Sequence, residues 1–509
     1  MSTSSAATNS VIVIGAGIGG LTTAALLARR GYSVLLLEQA FVPGGCASTF
    51  KRKGFTFDVG ATQVAGLEPG GIHHRILSEL EVDVPAATPC DPACAVYLPG
   101  ETEPINVWRE AEKWQRERQH QFPGSEPFWQ LIAHLFRASW AFQSRDPVLP
   151  PRNLWDLHHL LQAVRPDTLV TLPFTFSTVG DLLRIFRLQD DHRLKTFLDL
   201  QLKLYSQVDA AETAFLYAAT ALSVSQTPQG LYHLEGSMQV LSDRLVKGLK
   251  RYGGQLRLGQ RVEQILVEQD RATGVVCRDV KTGETYTERA AHVVANVPVQ
   301  NLVQLLSQAT MAGLPGWDLQ RYRQRVDRLP PASGAFVVYL GVDQAAIPPH
   351  CPPHLQFLYD YNGPIGENNS LFVSVSHPGD GRAPTGQATL IASSFTDPTL
   401  WEQGSYEQRK KEYTETAIAR LGQFFQLSPQ TILHQEAATP RTFARFTARD
   451  RGIVGGIGQR ISTFGPFGVA TRTPIPHLWL VGDSTHPGEG TAGVSYSALT
   501  VVNQIVAVK

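Results

Sequence analysis

The sequence has no long apolar run. No stretch reaches the roughly 18 consecutive apolar residues that a membrane-spanning helix requires, so no spanning segment is predicted. Residues 1–10 are rich in serine and alanine and lack the basic and apolar parts of a signal peptide. We interpret them as a frayed start.

Cysteine is scarce, and neither sign of charge is in excess. The five cysteines are scattered: Cys46, Cys90, Cys94, Cys277 and Cys351. An odd number without paired spacing argues against a disulfide framework and favours a reducing compartment. Cys90 and Cys94 lack a second ligand pair, so no metal site is predicted. Lys+Arg and Asp+Glu both number 45, which gives no bias toward nucleic acid.

The amino-terminal segment carries the most information. An apolar run, residues 11–14, enters a glycine turn, a helical pattern follows, and a second apolar run ends in Glu38. Gly15, Gly17 and Gly20 form G-x-G-x-x-G in the strand–turn–helix context of dinucleotide-binding proteins. They permit a tight turn, let a pyrophosphate approach the backbone, and let helix and strand pack closely. The carboxylate can bind a ribose diol and repels a 2′-phosphate, which predicts FAD or NAD rather than NADP.

Further glycine-rich blocks favour FAD over NAD. Pro43-Gly44-Gly45 follows the acid, and the block Phe57-Asp58-Val59-Gly60-Ala61-Thr62 comes next. Near the other end, an apolar run reaches Gly482 and Asp483 before a helical pattern at residues 496–506. A strand that ends in Gly-Asp before a helix offers a second helix N-terminus and a carboxylate. FAD needs such a second anchor for its ribityl–flavin arm.

These blocks resemble those of the FAD-dependent carotenoid desaturases and carotenoid isomerases, relatives of the amine oxidases. The likeness is carried by the amino-terminal series, by residues 234–238 with the following helix and Val262, and by residues 481–490. Within that family, residues 452–456 and 464–468 are most similar to the cyanobacterial C-3′,4′ carotenoid desaturases.

The resemblance implies a set of FAD-binding residues, which share glycine-turn, loop or helix-start positions. They are Gly15, Gly17, Gly20, Glu38, Gly44, Gly45, Ala61, Thr62, Val262, Gly482, Asp483, Gly490 and Val494.

The chain length of 509 residues exceeds the roughly 250–300 at which one core stops growing. We therefore predict a mixed α/β (α+β) protein: a Rossmann-like FAD-binding domain and an antiparallel-sheet substrate domain with a helical, membrane-facing cap. The FAD-binding domain is predicted from residues 1–66, 231–300 and 452–509. The substrate domain is predicted from residues 67–230 and 301–451, with the cap at about 125–188.

Large apolar side chains dominate the predicted cap. Phe128, Leu131, Ile132, Leu135 and Phe136 recur at helical spacing, with arginine and tryptophan nearby. This composition is typical of a helical lid that contacts a lipid interface. The alternative is that these side chains fill the core of the cap.

Few polar residues are placed for catalysis. His486 and Glu489 lie in the carboxy-terminal block that the family places near the flavin, and either can take a proton. The favoured interpretation is that both hold the loop or bond flavin carbonyls. Phe464 and Phe467 can form a wall over the ring, or serve as ordinary turn residues.

The leading hypothesis is a carotenoid 3′,4′-desaturase that transfers a hydride from a monocyclic or acyclic carotenoid to FAD. A prolycopene-type cis–trans isomerase that uses reduced FAD is the alternative. A flavin-independent prenyl-lipid-binding protein of the GDP-dissociation-inhibitor type and an amine oxidase are further alternatives. The expected partners are a carotenoid in lipid, the membrane surface, and quinone or oxygen as electron acceptor. The expected location is peripheral, on the cytoplasmic side of a bacterial membrane or thylakoid.

Overall fold

The structure is a computed structural model that describes residues 9–306 and 317–508. Its strands are β1 (Ser10–Ile14), β2 (Ser33–Glu38), β3 (Thr49–Arg52), β4 (Phe55–Asp58), β5 (Val64–Ala65), β6 (Ala87–Pro89), β7 (Cys94–Tyr97), β8 (Ile105–Val107), β9 (Leu231–Leu234), β10 (Gln255–Leu258), β11 (Gln260–Glu268), β12 (Arg271–Asp279), β13 (Thr285–Arg289), β14 (His292–Ala295), β15 (Gly334–Asp343), β16 (His354–Leu358), β17 (Ser370–Val375), β18 (Gln387–Thr396), β19 (Ile432–Ala438) and β20 (Leu478–Leu480).

The helices follow the same order along the chain. They are α1 (Ile18–Arg29), α2 (Ile72–Glu79), α3 (Ala111–Gln121), α4 (Glu126–Gln143), α5 (Leu154–Ala163), α6 (Pro166–Leu169), α7 (Val179–Ile185), α8 (His192–Ser206), α9 (Phe215–Ala221), α10 (Gln239–Arg251), α11 (Val299–Leu305), α12 (Trp317–Asp327), α13 (Tyr406–Leu421), α14 (Pro440–Thr447) and α15 (Thr491–Val506). None of these described helices is long and apolar enough to cross a bilayer.

A five-stranded parallel sheet forms the centre of the nucleotide-binding region. Its order is β10-β2-β1-β14-β20, and every neighbouring pair is parallel. β1 and β14 are apolar after their first residues because both faces of the sheet are covered: helices pack on one face, and the antiparallel strands β11 and β12 pack on the other. Helices α1, α10 and α15 pack together beside it. The strands of one sheet therefore come from three distant parts of the chain, and the predicted domain boundaries stay a prediction.

A seven-stranded sheet forms the second layer, in the order β19-β15-β18-β17-β16-β7-β8. Residues 335–342, 356–359, 370–376 and 389–394 are rich in β-branched or aromatic residues, which predicts strands, and they correspond to β15, β16, β17 and β18. Their pairing is antiparallel, as the sequence predicts. The structure adds one parallel pair, β16 with β7, because the β7–β8 hairpin extends the sheet edge.

The cap is helical, as predicted, but its apolar residues divide into two groups. Phe128, Ile132 and Leu135 of α4 are buried and form the core of the cap. A second group is exposed: Leu154, Leu157, Leu161, Leu169, Val170, Leu172, Phe176 and Ile185. The alternative of a cap core thus holds for α4, while the surface from α5 to α7 presents apolar side chains to the outside.

A buried acid joins the cap to the nucleotide-binding region. Asp156 in the first turn of α5 is fully buried. Its carboxylate accepts hydrogen bonds from Nε of Arg472, at 2.9 Å, and from Nε2 of Gln504 in α15, at 3.0 Å. An ion pair therefore joins the cap to Arg472, and a hydrogen bond joins it to α15.

Candidate functional site

The first glycine turn is shaped by a close backbone approach. Gly15 follows β1 with a φ of +90°, and an added Cβ there would lie 2.8 Å from the backbone oxygen of Asn296. An added Cβ at Gly17 would lie 2.9 Å from Asn296 Nδ2, and one at Gly20 would lie 2.0 Å from Gly15 O. Asn296 Nδ2 also donates a hydrogen bond to Gly15 O at 3.1 Å. Sequence reasoning missed Asn296, which follows β14 and has no motif of its own.

Glu38 lies at the end of β2, beside the glycine turn. Its Oε2 accepts a hydrogen bond from the backbone N–H of Ala16 at 2.7 Å, and its Oε1 accepts one from Ala40 at 2.8 Å. Burial raises the pKa of the carboxyl, while the backbone hydrogen bonds oppose that shift. The two amides thus fix the carboxyl group at the wall of the cavity.

The loop of Gly44 and Gly45 lies across the first turn. The backbone N–H of Gly44 donates to Ala16 O at 2.7 Å. Thr62 reaches the second sheet, where its Oγ1 accepts a hydrogen bond from Ser374 at 2.7 Å. This loop region therefore connects the glycine turn with the seven-stranded sheet.

The carboxy-terminal block provides a second helix start beside the first. Gly482 follows β20, and α15 begins after Gly490, with no described side chain capping its first turn. An added Cβ at Gly19 of α1 would lie 3.4 Å from the backbone oxygen of Val494 in α15. The first turns of α1 and α15 are therefore in contact. Asp483 accepts a hydrogen bond from Arg449 at 2.7 Å.

One cavity of about 1750 Å³ brings the predicted residues together. Of the thirteen predicted FAD-binding residues, all except Gly20 line it. Gly20 lies behind the turn, where it permits the close packing that the sequence predicts. Ligand pockets usually measure about 300–1,000 Å³, so this cavity has room for a cofactor and a long second molecule.

The groups at one end of this cavity fit an adenine dinucleotide. Bare glycine backbone and two uncapped helix N-termini suit the pyrophosphate, and the Glu38 carboxylate suits a ribose. Val262 of β11 also lines this end and is largely buried. Across the described residues, no cluster of His, Cys, Asp and Glu suits a metal ion.

The other end of the cavity is apolar and opens at the surface. Leu161, Leu172 and Phe446 line the cavity and are nevertheless 62%, 59% and 58% exposed. Leu200, Leu204, Leu216 and Phe372 line it farther inside. We call Leu161 and Leu172, which both belong to the cap, the mouth of the cavity.

His486 is a half-buried, neutral histidine on the cavity wall. Its Nε2 lies 3.1 Å from Oε1 of Gln143 in α4, so Nε2 carries the proton and donates it. Nδ1 has no hydrogen-bond partner among the described atoms. Burial lowers the pKa of His486 to about 4. At neutral pH Nδ1 therefore offers a free lone pair.

Glu489 is a half-buried carboxylic acid three residues farther along. Its Oε2 accepts a hydrogen bond from Gln207 Nε2 at 2.9 Å, and Oε1 has no partner in the described part of the chain. Burial and the nearby charge of Asp483 raise the pKa of Glu489 to about 8. The group is therefore mainly protonated at neutral pH.

Gln207 and Lys203 are two cavity residues that sequence reasoning missed. Both come from the end of α8, and Lys203 Nζ donates to Gln207 O at 2.9 Å. Burial lowers the pKa of Lys203. A lone polar residue near the end of an amphipathic helix is usually predicted to be solvent-exposed. The local sequence therefore does not identify Gln207 or Lys203 as a cavity residue.

The two predicted wall phenylalanines separate. Phe464 lines the cavity, with its ring centroid 5.7 Å from that of His486 and 5.5 Å from that of Tyr217. Phe467 lies outside the cavity, where it contacts Phe176 of the cap. Only Phe464 therefore remains a candidate wall residue.

Comparison with known proteins identifies the family. Residues 18–506 match the family model described as flavin containing amine oxidoreductase. The chain is 28% identical to prolycopene isomerase 2, chloroplastic, of an Oncidium hybrid cultivar, over 97% of this chain and 83% of that protein. It is 25% identical to the zeta-carotene-forming phytoene desaturase of Myxococcus xanthus, over 97% of this chain and 93% of that protein.

Solved structures share the fold. A triple mutant of putrescine oxidase, redesigned in cofactor binding, matches with a TM-score of 0.63 and 14% identity, over 98% of this chain and 99% of that chain. An oxidoreductase from Methanosarcina mazei matches with a TM-score of 0.63 and 18% identity, over 97% of this chain and 100% of that one. The predicted family relationship and fold class are confirmed. The chain belongs to the flavin-containing amine oxidoreductases, and its cofactor is FAD.

Proposed function

We propose that this protein is a FAD-dependent carotenoid 3′,4′-desaturase, which removes two hydrogens from a CH–CH bond of a monocyclic or acyclic carotenoid. The observation that carries the proposal is the single cavity that combines the FAD-binding residues with an apolar, surface-open end. A slender polyene suits a cavity of this volume with an apolar end. The desaturase and isomerase names of the similar proteins support this substrate class.

The residues of the chain divide the work of the reaction. FAD, when bound, supplies the acceptor for the hydride that leaves one carbon. The neighbouring carbon then loses a proton, and the neutral imidazole of His486, which lines the cavity, is the proposed acceptor. A base of low pKa suffices, because a carbon next to a delocalised positive charge is strongly acidic. The apolar walls exclude water from that charge.

A redox-neutral carotenoid isomerase is the second candidate, and Glu489 favours it. A carboxylic acid that stays protonated at neutral pH can protonate a polyene and take the proton back after rotation about a bond. The 28% identity to a prolycopene isomerase supports the same activity. The family match to flavin-containing oxidoreductases argues against a flavin-independent prenyl-lipid-binding protein.

Anaerobic mixing with a monohydroxylated lycopene derivative tests the proposal. The desaturase should bleach the absorbance of oxidised flavin and release a product that has lost two hydrogens and absorbs at longer wavelength. Unbleached flavin and an unchanged chromophore would disprove it. A product of unchanged mass, formed from a cis-carotene only with reduced flavin, would establish the isomerase instead.

We also propose that the protein lies on the cytoplasmic side of a membrane as a peripheral protein. Its exposed apolar side chains surround the cavity mouth, and a carotenoid dissolves in lipid. A mouth against the bilayer lets the substrate enter without crossing water. Quinone in that bilayer, or oxygen, would then accept the electrons.

A further inference from the structure

An open depression of about 750 Å³ adjoins the main cavity at Pro466, which lines both. Arg152, Arg325 and Arg460 line it, together with Phe176 and Phe467. The two aromatic rings contact each other, with centroids 5.6 Å apart, and Phe176 is 70% exposed. The depression thus combines guanidinium groups with exposed aromatic rings.

Within the described residues, two of these arginines form no ion pair with an acid. Arg325 of α12 donates to the backbone oxygens of Phe467 and Gly468, and it forms no ion pair within the described residues. Arg152 forms none there either. Burial and the nearby charge of Arg152 lower the pKa of Arg325. Two like charges are therefore held close together.

The acids near the depression are already paired. Glu212 lines it and pairs with Arg460 at 2.7 Å. Asp156 accepts a hydrogen bond from the backbone N–H of Arg152, but its carboxylate pairs with Arg472 at 2.9 Å. The depression therefore carries an excess of positive charge.

We propose that this depression binds the phosphate groups of anionic phospholipids when the cavity mouth lies on a bilayer. Pro466 lines both the depression and the main cavity, so the two are contiguous. Aromatic rings are enriched at the headgroup level of membranes. A guanidinium group can donate two parallel hydrogen bonds to the oxygens of one phosphate. The inference rests on the proposed peripheral association and adds a preference for anionic lipid.

Co-sedimentation of the FAD-loaded protein with vesicles tests this inference. Vesicles of phosphatidylcholine alone are compared with vesicles that contain about a third phosphatidylglycerol, which gives the surface a negative potential. The protein should prefer the anionic vesicles, and salt should weaken that preference. The Arg152→Gln/Arg325→Gln variant should bind them about 30-fold more weakly, and Arg152→Gln alone about five-fold more weakly.

A matched control separates this site from general charge. Arg278→Gln/Arg289→Gln removes the same charge from β12 and β13, where both arginines pair with acids, and it should bind like the unchanged protein. Flavin absorbance and thermal unfolding verify that each variant is folded. Equal binding to both vesicle types, or equal loss in the control, would overturn the inference.

The other outcomes separate this inference from the proposed enzymatic function. Binding to neither vesicle would overturn this inference and the membrane association together. A carotenoid in detergent would still bleach the flavin if the proposed desaturase function is correct.

Discussion

Gln207 Nε2 donates a hydrogen bond to Oε2 of Glu489 over 2.9 Å, although 282 positions separate the two residues. The contact joins the end of α8 to the loop before α15. It occupies one carboxyl oxygen of Glu489 and leaves Oε1 as the oxygen that carries the proton. The amide of Gln207 therefore determines which oxygen of the Glu489 carboxyl group carries the proton.

Replacing Gln207 should change the titration of Glu489. Gln207→Met keeps the length of the side chain but removes the N–H that favours the ionised carboxylate. The pKa of Glu489 should rise above about 8, and the alkaline inflection in the pH profile of kcat should move to higher pH. Glu489→Gln is the control, because it should remove that inflection. An inflection that stays in place in Gln207→Met would contradict the assignment.

Glu489 should make the protein less stable at higher pH. Its pKa is about 8 in the folded state against an ordinary value of 4.5, so between these values the native state retains a proton that the unfolded chain has lost. The free energy of unfolding should therefore fall by about 1.4 kcal/mol per pH unit in that window from this group alone. Urea unfolding of the unchanged protein and of Glu489→Gln measures it. Parallel pH dependences would refute the prediction.

Gly455 should be intolerant of a side chain. An added Cβ would lie 2.2 Å from Glu489 Oε2 and 2.4 Å from Gln207 Nε2, at a φ of +66°. Gly455→Ala should lower the free energy of unfolding by about 2–4 kcal/mol and reduce turnover. Gly404→Ala is the matched control: its φ is +67° and its nearest neighbour is 3.8 Å away. It should cost about 1 kcal/mol and leave turnover intact; similar losses in both variants would show that backbone strain alone acts.

His486 should be needed for the proton step more than for folding. His486→Gln removes the proposed proton acceptor, and the rate at which the longer-wavelength product forms should fall about 100-fold, because proton loss follows hydride transfer. The exposed His158 of the cap serves as control, and His158→Gln should leave the rate unchanged. Stopped-flow absorbance measures the rate, and thermal unfolding reports on the loop. A normal rate with a lowered melting temperature would favour the interpretation that His486 only holds the loop.

The sequence predicts those strands and helices whose own residues show a clear polar–apolar pattern. Residues 255–258 alternate in polarity after Gly253-Gly254, a pattern that predicts a strand, and β10 has these bounds. The strands β7 and β8 were missed because β7 is a short apolar run without alternation and β8 has only three residues. Such short strands form through pairing with a neighbour rather than through their own pattern.

The same distinction holds for the site. The glycine blocks were predictable because a turn against a phosphate imposes its residue types locally. Gln207 and Arg449 were not predictable, because each meets its acid only in the folded chain. The division of the cap between buried and exposed apolar residues also depends on packing, since composition is alike in both groups.

Asp156 bears on what the protein can admit. It ties the cap to α15, whose first turn borders the FAD-binding residues. To swing the cap aside would strip a buried carboxylate of its cation, at a cost of about 3–5 kcal/mol. A narrow, elongated molecule that enters end-on avoids this cost, whereas a wider molecule of similar hydrophobicity does not. The ion pair between Asp156 and Arg472 would therefore select molecules by their width before they reach the flavin.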